Sequence, residues 1–84
     1  MRRVAGRTIV VVEDERAIAD ALAARLRAEG FTVETAADGP SGVEACRRVR
    51  PDVVVLDVML PGFDGLEVCR RIQAEPGWSG MVLM

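Results

Sequence analysis

One stretch of the sequence decides the fold, the segment Asp52-Val53-Val54-Val55-Leu56-Asp57. It has no polar residue between its two carboxylates, and its three valines are β-branched, which favours a strand. A strand that is apolar on both faces is normally covered on both faces, as in a parallel sheet. The segment therefore predicts a buried central strand that ends at Asp57.

The segments on either side alternate between strand and helix patterns. Before the central strand we predict a strand at residues 8–12, a helix that Gly30 ends, a half-exposed edge strand at 31–36, and a helix that begins near Pro40 and closes at Pro51. After the central strand we predict a loop at 58–63, then a helix, and then a fourth strand from Met81. Asp64 caps this helix, and Glu67, three residues later, completes a capping-box pattern. The order β-α-β-α-β-α-β predicts an α/β fold with a parallel sheet.

Apolar residues that recur every three or four positions mark the inner face of each helix. The predicted inner faces are Ile18, Leu22 and Leu26 in the first helix, Val43, Cys46 and Val49 in the second, and Leu66, Cys69 and Ile72 in the third. Both cysteines are therefore interpreted as core thiols, since they form no metal-binding spacing.

Length and composition exclude several classes of function. The 84 residues suffice for one domain, and the net charge of −2 gives no basic surplus for nucleic-acid binding by this segment. The chain has no histidine and all 11 of its cations are arginine, which excludes histidine bases and P-loop or Schiff-base lysines. No apolar run is long enough to span a membrane and no signal peptide is evident, so we expect a cytoplasmic protein.

Three carboxylates follow strands of the predicted sheet. Glu13 and Asp14 come after the first strand, and Asp57 ends the third. Strands 1 and 3 are often neighbours at the switch point of a doubly wound sheet, where ligands bind beyond the carboxyl ends. Two carboxylates ~4 Å apart repel by about 4 kcal/mol at an effective dielectric of about 20, so either a cation is present or one group stays protonated. Because the chain has no lysine, a divalent metal is the favoured solution, and Mg²⁺ suits hard oxygen ligands. Alternatively, Asp14 only caps the first helix and Asp57 only terminates a strand.

Two segments around these acids resemble a known family. They are IVVVEDE at residues 9–15 and PDVVVLDVMLPGFDG at residues 51–65. Both are similar to the CheY-like receiver domain of two-component response regulators, and the resemblance extends from Arg7 to the last residue. The sequence Met59-Leu60-Pro61-Gly62 is most similar to that of the OmpR-like subfamily, which carries a winged-helix DNA-binding domain after the receiver.

The resemblance implies a role for each acid. Asp57 is the phosphoacceptor, which takes a phosphoryl group from a sensor histidine kinase. Glu13, Asp14 and Asp57 hold Mg²⁺ together with the backbone carbonyl of Met59, Asp14 directly and Glu13 through water. The implied fold is flavodoxin-like, a parallel sheet in the order 2-1-3-4. The implied protein is a signalling domain that takes part only in its own phosphotransfer, not an enzyme.

The resemblance also implies that this receiver domain, at residues 7–84 after a short tail at 1–6, is incomplete. A fourth helix, a fifth strand and a fifth helix are expected to be missing, with a Ser or Thr and a Lys that the family uses at its site. We expect self-association through the strand 3 and strand 4 side, and any DNA binding would belong to an output domain beyond this segment. One alternative is a truncated interaction module that is never phosphorylated. Another is a metal-dependent phosphohydrolase, which usually has an Asp where this chain has Met59.

Overall fold

The computed structural model describes residues 6–57 and 65–84. The elements in chain order are β1 (Thr8–Val12), α1 (Arg16–Ala28), β2 (Thr32–Ala36), α2 (Gly39–Val49), β3 (Val53–Leu56), α3 (Gly65–Gln73) and β4 (Met81–Leu83). The predicted alternation of strands and helices is therefore confirmed. The loop expected at 58–63 and the helix cap expected at Asp64 lie outside the described residues. None of the described helices is long and apolar enough to cross a bilayer.

The four strands form one parallel sheet in the order β2-β1-β3-β4. This confirms the order that the family resemblance implied, with β2 at an edge. Val12 of β1 lies beside Leu56 of β3. The carboxyl ends of the two central strands therefore meet at one edge of the sheet.

The two faces of the sheet are covered differently. Val10, Val12, Val54 and Leu56 face α2 and α3 and are almost completely buried. On the other face, Ile9 and Val11 lie in a smaller cluster with α1, and Val53 and Val55 are only partly buried. Full burial of a valine contributes roughly 1.5–3 kcal/mol, so the face that carries two helices holds most of the stabilising core.

The amino end of α2 fits closely against the sheet. Asp38 precedes the helix in extended conformation, and its side chain accepts a hydrogen bond from the Ser41 amide at 2.7 Å. Gly42, one turn into the helix, lies against Val12 of β1. A Cβ atom at Gly42 would come within 2.9 Å of both Val12 methyl groups. The glycine is thus required by the short distance between α2 and β1.

For two residues, the predicted inward orientation is wrong. Ile18 is 53% exposed and Leu66 is 68% exposed. The buried residues of α1 are Ala19 and Ala23, and those of α3 are Gly65, Val68 and Ile72. Each mistaken residue is next in sequence to a buried one, and one residue rotates a helix by about 100°.

The other predicted inward residues are buried or partly buried. Val43, Cys46 and Ile72 lie in the core, and Leu22, Leu26, Val49 and Cys69 pack at its margin. Both cysteines are free thiols in the structure, Cys46 buried and Cys69 partly exposed. This agrees with their interpretation as packing residues.

Candidate metal centre

The site is built by the carboxyl ends of the two central strands. The Asp57 amide donates to the Val12 carbonyl at 3.0 Å, which continues the β1–β3 ladder one residue past β3. The Glu13 amide donates to the Ala36 carbonyl of β2 at 2.9 Å. Backbone hydrogen bonds thus hold the main chain at Glu13 and Asp57 beside neighbouring strands, at the same edge of the sheet.

Glu13, Asp14 and Asp57 come together at this edge. Each offers one carboxylate oxygen, and these three oxygens all lie within 4.8 Å of one another. Glu13 and Asp57 are partly exposed and Asp14 is exposed, so water and ions reach the cluster. It is the one group of this kind among residues 6–57 and 65–84. The sequence-based prediction that these three residues converge is borne out by this geometry.

Asp14 does not cap α1. The residue at the cap position is Glu15, whose side chain makes no capping hydrogen bond. The Glu15 amide instead donates to Glu13 Oε2 at 3.0 Å. The alternative in which Asp14 is only a helix cap is therefore wrong, and Asp14 is left beside two other carboxylates.

The mutual repulsion of these acids affects Glu13. The hydrogen bond from the Glu15 amide lowers the pKa of Glu13. Partial burial, the charge of Asp57 and the contact with Asp14 act in the opposite direction and outweigh it, so the pKa of Glu13 lies above its ordinary value. A cation between the three groups would remove this repulsion.

The donor set fits a small hard cation. Mg²⁺ binds oxygen at about 2.0–2.1 Å in an octahedron, so two oxygens on adjacent corners lie roughly 2.9 Å apart and two on opposite corners roughly 4.2 Å apart. Three carboxylate oxygens that already lie within 4.8 Å of one another can reach such spacings by side-chain movements alone. The ion usually keeps several waters, which the exposure of Asp14 permits. Met59, predicted to supply a backbone carbonyl, lies outside the described residues.

Solved structures of high similarity include one receiver domain and one response regulator protein. The BeF3-activated receiver domain of Klebsiella pneumoniae RstA is 36% identical with a TM-score of 0.82, over 90% of this chain and 63% of that one. The response regulator TrrA of Thermotoga maritima, solved in complex with Mg(2+)-BeF, is 32% identical with a TM-score of 0.83, over 92% of this chain and 67% of that one.

A curated relative is similar in sequence. The protein named "Probable transcriptional regulatory protein TcrX" from Mycobacterium tuberculosis is 53% identical over 62 residues, which are 71% of this chain and 26% of TcrX. The chain thus spans about a quarter of the length of this relative. The family described as "Response regulator receiver domain" matches residues 9–84. With its parallel sheet and its three acids at the carboxyl edge, the chain belongs to the response regulator receiver domain family.

Proposed function

We propose that this chain is the receiver of a two-component phosphorelay, which accepts a phosphoryl group from a sensor histidine kinase on Asp57 with Mg²⁺. The observation that carries the proposal is the convergence of Glu13, Asp14 and Asp57 at the carboxyl edge of the sheet. In this proposal Asp14, Asp57 and the backbone carbonyl of Met59 bind the cation, and Glu13 holds it through water. The receiver domain comprises residues 7–84, after a tail at 1–6.

The proposed chemistry is nucleophilic attack by a carboxylate. An Asp57 carboxylate oxygen forms a bond to the phosphorus of a phosphohistidine, the phosphorus–nitrogen bond breaks, and the imidazole leaves with the electron pair. The product is an acyl phosphate on Asp57. Mg²⁺, when bound, neutralises negative charge on the phosphoryl oxygens and on the acids.

The chain's own residues have two tasks in this step. The ladder hydrogen bond from the Asp57 amide to the Val12 carbonyl fixes the backbone from which the nucleophile projects. Glu13 and Asp14 orient the cation beside it, because both follow directly from β1, the neighbour of β3. The acids that repel an incoming phosphate when alone become its binding site once the cation is present.

Relatives support the setting of the reaction. RstA was solved as a BeF3-activated receiver domain and TrrA in complex with Mg(2+)-BeF, and TcrX carries the name "Probable transcriptional regulatory protein". In this proposal the chain works in the cytoplasm as a signalling domain rather than an enzyme. Any DNA binding would fall to a separate output domain, since the net charge of this segment is −2.

The chain also self-associates, through the half-covered face of the sheet over β3 and β4.

The test compares two aspartates at opposite ends of one strand. The unaltered chain, Asp57→Asn and Asp52→Asn are each incubated with acetyl phosphate, with Mg²⁺ or with EDTA, and their intact masses are measured. Asp52 is the matched control, because its side chain accepts from the Thr8 amide at 2.8 Å at the other end of β3. An asparagine oxygen can keep that hydrogen bond.

We expect Mg²⁺-dependent addition of one phosphoryl group to the unaltered chain and to Asp52→Asn, and none to Asp57→Asn. Label retained in Asp57→Asn would contradict the assignment of the acceptor. No label on the unaltered chain, from acetyl phosphate or from a histidine kinase, would favour the alternative of an interaction module that is never phosphorylated.

A further inference from the structure

The strand β2 is an edge of the sheet. It pairs with β1 alone, and no other described strand lies beyond it. The Thr32 amide and the Ala36 carbonyl make backbone hydrogen bonds on the β1 side. Because the backbone groups of successive residues in a strand point to opposite sides, those of Val33 and Thr35 point away from the sheet. A row of outward backbone groups is a surface on which a strand of another chain can pair.

The sequence of β2 contains none of the features that usually protect an edge strand. Residues 32–36 read TVETA, without lysine or proline. The register with β1 is continuous over all five residues, so no bulge turns the edge away. The one charged side chain in the strand is Glu34, and its charge is paired with Arg48. Protection of this edge therefore has to come from outside the strand.

Arg27 of α1 reaches the edge from one face of the sheet. Its Nη2 donates to the Val33 carbonyl at 2.8 Å, and the bond is partly shielded from water. This carbonyl is one of the outward groups, so the guanidinium occupies an acceptor that a new strand would need for its own amide. A hydrogen bond from a charged donor is roughly twice as strong as one between neutral groups. An added strand would thus replace a charge-assisted bond by a neutral one.

Arg48 of α2 approaches the same strand from the opposite face, but its charge is neutralised. It donates from Nη1 to Glu34 Oε2 at 3.3 Å and from Nη2 to the other carboxylate oxygen. These hydrogen bonds lower the pKa of Glu34, so its carboxylate stays charged at neutral pH. Arg27, by contrast, has no ion pair with any carboxylate among residues 6–57 and 65–84. Its positive charge at the edge is therefore not offset by a partner.

We propose that Arg27 guards the β2 edge against pairing with the β2 edge of a second copy of this chain. Two such edges would meet around a two-fold axis as antiparallel strands ~4.8 Å apart. Each Val33 carbonyl would then be needed by the partner strand, so both Arg27 side chains would lose their acceptors. The two guanidiniums would also be brought to the same contact, where like charges repel. The guard acts through an occupied acceptor and through charge.

The first test removes the guard and measures association. Arg27→Met keeps a long side chain on α1 but removes both the donor and the charge. In sedimentation velocity, this variant should form dimers at a concentration at least about tenfold lower than the unaltered chain does. Arg25→Met is the matched control, because it makes the same substitution on the same helix, where Arg25 pairs with Glu29 at 3.3 Å rather than with β2.

Hydrogen exchange of single amides locates the contact. In the unaltered chain the Val33 and Thr35 amides should exchange fast, whereas the Glu34 amide, which faces β1, should be protected. In the Arg27→Met dimer the two outward amides should exchange at least about tenfold more slowly, because carbonyls of the partner strand accept from them. Self-association through the face over β3 and β4 would leave these two amides unchanged, so the two kinds of contact are distinguished.

Two further variants separate the guard from the properties of methionine. Arg27→Lys keeps a charged donor and should behave like the unaltered chain. Arg27→Gln carries no charge, and its amide ends well short of the Nη2 position. It should associate like Arg27→Met although it adds no apolar surface. Circular dichroism of every variant checks that the helices and strands are intact, and Arg27→Gln gives the same readouts if Arg27→Met does not fold.

Three results would overturn the proposal. The first is association of Arg27→Met and Arg27→Gln no stronger than that of the unaltered chain, which would mean that the edge is protected without Arg27. The second is equal association of Arg25→Met and Arg27→Met. The third is a dimer of Arg27→Met in which the Val33 and Thr35 amides still exchange fast, which would place the contact elsewhere. None of these readouts depends on phosphorylation, so they do not test the proposed function.

Discussion

The two cysteines show how position alone changes the chemistry of one residue type. Cys46 lies in the core between α2 and the sheet, and burial raises the pKa of its thiol to about 12. Only the thiolate reacts with alkylating reagents, and at pH 8 a thiol of that pKa is ionised to roughly one part in 10⁴. Cys69, on α3, is partly exposed.

We therefore predict that the native chain takes one iodoacetamide label at pH 8, on Cys69, and two labels in denaturant. Peptide mapping by mass spectrometry distinguishes the two sites. In the control Cys69→Ser, the native protein should remain unlabelled over the same period. Labelling of Cys46 at the rate of Cys69 in the native protein would mean that this part of the core opens readily.

Sequence patterns predicted the helices and the types of residue that they bury, but they were less accurate about which individual residues are buried. The spacing of Ile18, Leu22 and Leu26 correctly indicated a helix on the sheet, but α1 is rotated so that Ala19 and Ala23 make the closest contact. Hydrophobicity favours the larger side chain, whereas the distance between helix and sheet favours the smaller one. The acids were easier to predict, because each follows a strand and because strands 1 and 3 of a doubly wound sheet are often neighbours.

At the level of elements, the packing of α2 on β1 depends on one glycine. Alanine normally favours a helix over glycine by about 1 kcal/mol. At Gly42, however, the added Cβ would meet the Val12 methyl groups at 2.9 Å, and the helix would have to move away from the strand. We predict that Gly42→Ala lowers the free energy of unfolding by about 1–3 kcal/mol, as overpacking does. Urea denaturation measures it.

A double variant separates this contact from the general effect of alanine in helices. Val12→Ala removes both methyl groups that the new Cβ would strike. In the Val12→Ala background, Gly42→Ala should therefore lower the free energy of unfolding by less, or even raise it. The difference between the effects of Gly42→Ala in the two backgrounds is the coupling energy. Equal effects in both backgrounds would contradict the close contact between α2 and β1.

Some features of the elements could not be read from the sequence. Arg50, after α2, has a left-handed backbone with φ 51°, a conformation usually taken by glycine. Its side chain donates to the Pro76 carbonyl at 2.6 Å, and Arg47 pairs with Glu75 at 2.7 Å. These contacts join segments that are far apart in sequence, and the pattern of either segment alone contains no sign of them.

For the whole molecule, unequal covering of the sheet links stability to association. If the proposed self-association covers the half-covered face over β3 and β4, the folded state is stabilised by mass action as the concentration rises. For a dimer, a tenfold increase in protein concentration adds ~1.4 kcal/mol to the free energy of unfolding, or ~0.7 kcal/mol per chain. A domain of this size gains about 4–8 °C per kcal/mol, so the melting temperature should rise by roughly 3–6 °C.

Scanning calorimetry at two concentrations tests this prediction. A melting temperature independent of concentration in the unaltered chain would show that association adds nothing to the stability of the fold.

The single tryptophan lies at the end of the sheet opposite the acids. Its Nε1 donates to the Pro51 carbonyl at 2.7 Å, and its ring packs against the core formed with α2 and α3. Asp52 and Asp57 flank β3, and at ~3.3 Å per residue they lie about 16 Å apart. The indole emission of Trp78 thus reports whether the core is intact and is too distant for direct quenching at the acidic cluster. An optical signal for occupancy at Asp57 has to come from a fluorophore placed at the carboxyl edge, and Trp78 then serves in the same sample as an internal standard for folding.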